Sequence, residues 1–130
     1  MSIPAVRQRI FFDGGCRPNP GRIEIALVVG GAVHVMRDVG DGDNNDAEWL
    51  ALIAAGKLAN EAGFTHSEFV GDSAFVVGQA NGTAKCRGDR PRAHLTAYRD
   101  AIAGLAEVRV RLVPRARNLA GIALAALHPR

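Results

Sequence analysis

The sequence predicts an α/β domain built on a mixed sheet, and three observations lead there. Three β-prone apolar runs come first, at 8–13, 23–29 and 32–38. Two later runs, at 68–71 and 108–113, are each preceded by helical stretches. The resulting order, βββαβα(α)βα, separates the late strands by helices, and strands joined by such crossovers pair in parallel.

Each element carries its own signal. QRIFFD at 8–13 is apolar and ends on Asp13, before Gly14-Gly15 and a Pro/Asn/Gly turn in CRPNPG. The runs 23–29 and 32–38 flank Gly30-Gly31, a hairpin signature. Residues 46–62 form the clearest helix, with Ala47, Leu50, Ala51, Ala54 and Leu58 on one face. Asn44, Asn45 or Asp46 is suited to cap it, and Gly63 to stop it. EFVG at 68–71 is a short strand reaching Asp72, and 73–80 a short helix. Residues 81–92 read as a basic loop, 94–106 as a helix, 108–113 as a strand and 118–127 as a final helix.

At 130 residues the chain is sized for one domain spanning 1–130, and 48% apolar content is sufficient for a packed core. No apolar run approaches the 18 or so residues of a membrane span. The N-terminal residues lack a cleavable signal pattern, and Cys16 and Cys86 have neither disulfide-framework nor metal-ligand spacing. These features point to a reduced, cytoplasmic protein, expected as a monomer. Residues 1–84 carry 6 basic and 10 acidic side chains, whereas 85–130 carry 10 basic and 3 acidic ones. Fourteen of the 16 basic residues are Arg, whose planar fork matches phosphate oxygens. Metal ions in the acidic part and a polyanion on the basic part fit this split.

Asp13 and Asp72 each follow an apolar strand. If those strands are parallel neighbours, both carboxylates project from one sheet edge, where open α/β sheets place their sites. Glu48, in the first turn of the intervening helix, can reach the same edge. Crowded carboxylates repel one another unless a divalent cation joins them, and oxygen ligands without His or Cys favour magnesium or manganese. Such a cluster beside an Arg-rich surface suggests metal-dependent phosphodiester hydrolysis. Structural alternatives exist for each acid: Asp13 capping the Gly14-Gly15 turn, Glu48 answering the helix dipole, Asp72 capping the next helix. The Asp41, Asp43, Asn45 run fails as a calcium loop, because Asp46 stands where Gly is needed and Leu52 where Glu is needed. His34, His66, His94 and His128 lack ligand spacing, and Trp49 is expected in the core. Lys85, Arg87, Arg90 and Arg92 read either as a solvated basic loop or as phosphate contacts.

FFDGGCRPNPG, NNDAEW and FVGDSAFVV, in that order, resemble the type 1 ribonuclease H family, and the likeness runs from about residue 8 to 125. It implies a ribonuclease H-like five-stranded mixed sheet, three antiparallel strands then two parallel ones, flanked by helices. It also implies magnesium-dependent cleavage of the RNA strand of RNA–DNA hybrids, with manganese as an alternative ion. By position Asp13, Glu48 and Asp72 match three of the family's four metal-binding acids, and Cys16, Asn19 and Asn45 match positions that contact the hybrid. Arg115 or Arg117 falls where many relatives have a loop His. Ala74 replaces a polar residue, and no separate N-terminal hybrid-binding module is expected. The fourth acid position holds Ile122, and no acid follows Glu107. The alternative implied by Ile122 is a catalytically impaired domain that still binds nucleic acid.

Overall fold

A computed structural model describes residues 7–128. Strands β1 (Arg7–Cys16), β2 (Gly21–Val29) and β3 (Ala32–Met36) form an antiparallel meander. A two-residue strand, β4 (Asp41–Gly42), then pairs with the start of β2 and leads into helix α1 (Asn44–Glu61). Strand β5 (His66–Gly71), helices α2 (Ala74–Asn81) and α3 (Asp89–Ile102), strand β6 (Glu107–Leu112), a 3₁₀ turn at Arg115–Arg117 and helix α4 (Leu119–Ala126) complete it. The five longer strands lie in the order β3-β2-β1-β5-β6, and β5 runs parallel to both β1 and β6. The expected mixed sheet is present, with β4 as an addition too short and polar to leave an apolar signal.

The two faces of the sheet differ. Ile10, Phe12, Ile23, Ile25, Leu27 and Phe69 pack against α1, around buried Trp49 and Leu52. Trp49 sits in the core as expected, its indole N–H donating to Gln79 Oε1 at 3.1 Å. On the opposite face α4 covers Ala26 and Val28 through Ala120 and Leu124. Alternation along each strand assigns Phe11 and Asp13 to the α4 face and Phe12 to the α1 face. Among the described residues no helix is long and apolar enough to cross a membrane.

Several boundaries differ from the sequence reading for physical reasons. Gly14-Gly15 is not a turn: β1 continues to Cys16 because β2 supplies partners, Gly14↔Ile25 and Gly15↔Glu24. Parallel pairing with β5 has already ended at Phe11↔Val70, so Asp13 projects where one neighbour has stopped and the other continues. The cap of α1 is Asp43, in a reciprocal capping box with Asp46, rather than Asn44, Asn45 or Asp46. Ser73, not Asp72, caps α2, its Oγ accepting from Val76 N at 3.2 Å. The third helix starts at Asp89 inside the expected loop, since Pro91 in a first helical turn forfeits no hydrogen bond. His66, His94 and His128 contact Glu107, Asp46 and Glu24. His34 is exposed on β3. Cys16 and Cys86 are free thiols.

Candidate active site

Asp13 from β1, Glu48 from the first turns of α1 and Asp72 just after β5 converge at one sheet edge. An oxygen from each lies within 4.8 Å of the other two. The approach of α1 depends on Gly14, where an added Cβ would stand 2.1 Å from Ala47 O. That closeness lets Glu48 Oε1 accept the Gly14 backbone N–H at 2.6 Å. Asn118 caps α4, its Oδ1 accepting from Ala120 N at 3.1 Å. Fully buried, its amide also donates to Phe12 O at 2.9 Å and to Asp72 Oδ2 at 2.8 Å. The Asn118 amide thus joins β1, Asp72 and α4.

The acids are poorly solvated, Asp13 being 1% exposed and Glu48 7%. Burial, then the Asp13 charge and the hydrogen bond between the two carboxyls, pushes Glu48 up to about 9. Burial also raises Asp13; its hydrogen bond with Glu48 opposes this, and the Asp72 charge adds to it. Arg115 extends an amine to within 3.5 Å of Asp13 Oδ1 and 3.4 Å of Asp72 Oδ1, and the Asp13 charge chiefly holds this guanidinium protonated. Even so, Asp13 Oδ1 is buried without a hydrogen bond, the Arg115 approach being an ion-pair contact only. A buried carboxylate oxygen lacking a donor, among acids that resist joint ionisation, fits a hard divalent cation.

The cavity around the acids, about 470 Å³, is also lined by Cys16, Arg17, Asn44, Asn45 and Ser73. Cys16 is buried, its Sγ 3.4 Å from Asn44 Oδ1 and 3.5 Å from Asn19 Oδ1. Asn19 accepts the Asn44 N–H at 3.2 Å, bracing the loop before β2 against the start of α1. The structure therefore brings Cys16, Asn45 and Arg115 to the cavity and places Asn19 behind its wall. Arg117 is exposed and does not line it. Arg90 reaches away to Asp46 at 3.1 Å, while Lys85, Arg87 and Arg92 are exposed. Sequence reasoning missed Asn44, whose role comes from contacts to Cys16, and the paired Glu24 and His128 on the cavity's far wall.

Ile122 is half-exposed and does not line the cavity. Its neighbour Gly121 faces the acids: a Cβ there would sit 3.4 Å from Asp72 Oδ2 and 3.5 Å from Asp13 Oδ2. That gap accommodates a methyl group.

The Reverse transcriptase-like family model matches residues 11–128. Ribonuclease HI of Halobacterium salinarum is 36% identical over 124 residues, 92% of this chain; the chain spans only 62% of that curated relative's length. The crystal structure of RNase H1 from the same archaeon superposes with a TM-score of 0.83 at 33% identity, covering 92% of this chain and 94% of that one. The N-terminal RNase H domain of a Mycobacterium tuberculosis protein, solved as a maltose-binding-protein fusion, gives 0.81 at 30% identity over 94% and 96% of the two chains. With the matched profile spanning nearly the whole fold and its three acids together at the sheet edge, the chain belongs to the type 1 ribonuclease H family.

Proposed function

We propose that this domain is a divalent-metal-dependent endonuclease that hydrolyses the RNA strand of RNA–DNA hybrids. The observation that carries the reading is the convergence of Asp13, Glu48 and Asp72, with the buried Asp13 Oδ1 lacking a donor. These three residues would hold magnesium, or manganese in its place, as two ions. When bound, the ions would supply Lewis acidity toward the scissile phosphate and the attacking water, and positive charge for the leaving 3′ oxygen. The chain's own part is to hold the acids rigidly through Gly14 N–H and Asn118, and to present Arg115 to the phosphate. Asn45 lines the cavity beside Cys16, whose backbone N–H is held by Asn44 Oδ1, and the Asn45 side-chain amide is suited to read 2′-hydroxyls. Arg117 is too remote from the cavity for such a role and is assigned to the outer backbone.

Ile122 favours a second reading, an impaired domain that binds the hybrid without efficient turnover. Ile122→Asp separates the two. A gain of cleavage of a hundredfold or more assigns impairment to the natural chain. Unchanged cleavage indicates that three acids suffice. Competition between hybrid and double-stranded RNA tests the substrate: preferential cleavage of double-stranded RNA overturns the hybrid assignment.

A further inference from the structure

Beyond the cavity, the α4 face of the sheet carries a second charged array. Arg9, Glu68 and Arg109 are in register across β1, β5 and β6, and Arg7 and Arg111 lie two residues along on the outer strands. Together with Val108, Val110 and Asn81 at the end of α2, they line an open groove of about 530 Å³ along the β6 edge of the sheet. Glu68 is only 3% exposed. Arg9 Nε lies 2.9 Å from it, Arg111 Nη1 3.6 Å and Arg7 Nη1 3.8 Å, and the second amine of Arg7 is 3.9 Å from Glu107. Arg109 makes no ion pair among the described residues. The buried carboxylate thus anchors guanidiniums whose remaining donors face outward, with four arginines against Glu68 and Glu107. His66, at the groove's end, is itself paired with Glu107 at 3.0 Å.

We propose that this arginine face is a second nucleic-acid contact, holding the phosphodiester backbone of duplex outside the cut site. Naming nucleic acid as the polyanion rests on the function proposed above. Three features select this occupant. The surplus charge is positive and presented by Arg, whose fork binds phosphate oxygens in pairs. The groove has no aromatic side chain, so it offers nothing for an unstacked base and contacts backbone alone. It also lies near the acids: Glu68 on β5 comes four residues before Asp72, which follows the end of that strand, roughly 13 Å along the chain at about 3.3 Å per residue. A duplex engaged at the acids therefore has a second set of phosphate partners within reach.

The test uses the full chain carrying Arg109→Gln and Arg111→Gln, which leaves Arg9 on Glu68. The control loses the same charge elsewhere, through Lys57→Gln and Arg99→Gln on exposed positions of α1 and α3. Thermal melting checks that both fold. Anisotropy is read with 30-base-pair RNA–DNA hybrid and with 30-base-pair DNA duplex, without divalent metal, over a salt series. The groove variant is expected to bind both duplexes about tenfold more weakly at 0.1 M salt than the control. Its log–log salt slope should fall by about 2, near 0.9 for each lost phosphate contact. Affinities and slopes equal to the control's overturn the proposal, as does a loss seen only with a poly-glutamate peptide, which would make the face a protein-docking site. Should Arg109→Gln/Arg111→Gln fail to fold, Arg109→Gln alone is expected to lower the slope by about 1, and an unchanged slope is the contrary result. Loss of duplex binding without hybrid cleavage by the parent chain would retain this face and reject the nuclease reading; cleavage with unaltered binding would do the reverse.

Discussion

The Asn118 amide donates to Asp72 Oδ2 at 2.8 Å and to Phe12 O at 2.9 Å, joining the final helix to two strands through one side chain. Asn118 also caps that helix. Its removal strands a buried carbonyl and loosens Asp72 together. Asn118→Ala is expected to destabilise the fold by about 2–4 kcal/mol in urea unfolding, adding a buried lost partner to a lost cap. Hybrid cleavage should fall at least tenfold under conditions where the variant remains folded.

Glu48 gives the metal-free protein a distinctive pH dependence. Its carboxyl titrates near 4.5 in an unfolded chain and is pushed up to about 9 in the fold by burial and the Asp13 charge. Between these values the folded state binds the extra proton, so stability is greatest at the acid end and is lost as pH rises toward 9. Glu48→Gln should flatten this fall and raise the melting temperature at pH 8 by several degrees, about 1 kcal/mol or more. Magnesium should instead stabilise the parent chain and release about one proton per molecule at pH 7, measurable by calorimetry in buffers of different ionisation enthalpy.

Two glycines at the site predict opposite tolerances. A methyl group at Gly14 would press to 2.1 Å from Ala47 O, which is backbone and unable to move aside. Gly14→Ala is expected to cost about 3 kcal/mol and to displace Glu48 from its N–H partner. At Gly121 the nearest atoms are carboxylate oxygens at 3.4 and 3.5 Å, ordinary contact distances. Gly121→Ala should stay within about 1 kcal/mol of the parent chain in urea unfolding.

Asp46 supports the site from outside. Burial alone would raise its pKa, but the Asp43 N–H, His94 at 2.9 Å and Arg90 at 3.1 Å outweigh it and hold the carboxyl below 3.8. A depressed folded pKa contributes stability above about pH 3.8, and that contribution disappears as pH falls through the folded value. Asp46→Asn should therefore cost about 1–2 kcal/mol at pH 7. The gap from the parent chain should close as unfolding is measured at successively lower pH below 3.8.

The three acids were legible because their residue type and their places after strands or in a first helical turn are local facts. Tertiary partners were not. Asn44 matters through Cys16, 28 positions earlier, and nothing in NNDAEW distinguishes it from Asn45. Arg115 and Arg117 were inseparable in sequence, yet in a 3₁₀ turn of three residues per turn they point in different directions, and only Arg115 meets the acids. The extension of β1 through Gly14-Gly15 was hidden because glycines suggest a turn, whereas here the antiparallel partner and the closeness of α1 decide. The arginine face was scattered over positions 7, 9, 109 and 111, and became one surface only through the register of three strands.

The most direct test of the central claim is single-turnover cleavage of a hybrid labelled at the 5′ end of its RNA strand. The parent chain and Asp72→Asn are compared at pH 8 with magnesium, with manganese and with EDTA. Metal-dependent cutting of the RNA strand alone, abolished by EDTA and reduced at least a thousandfold by Asp72→Asn, is the expected result. Cleavage that survives EDTA, or no cleavage above the Asp72→Asn level with either metal, contradicts a hydrolytic centre at Asp13, Glu48 and Asp72.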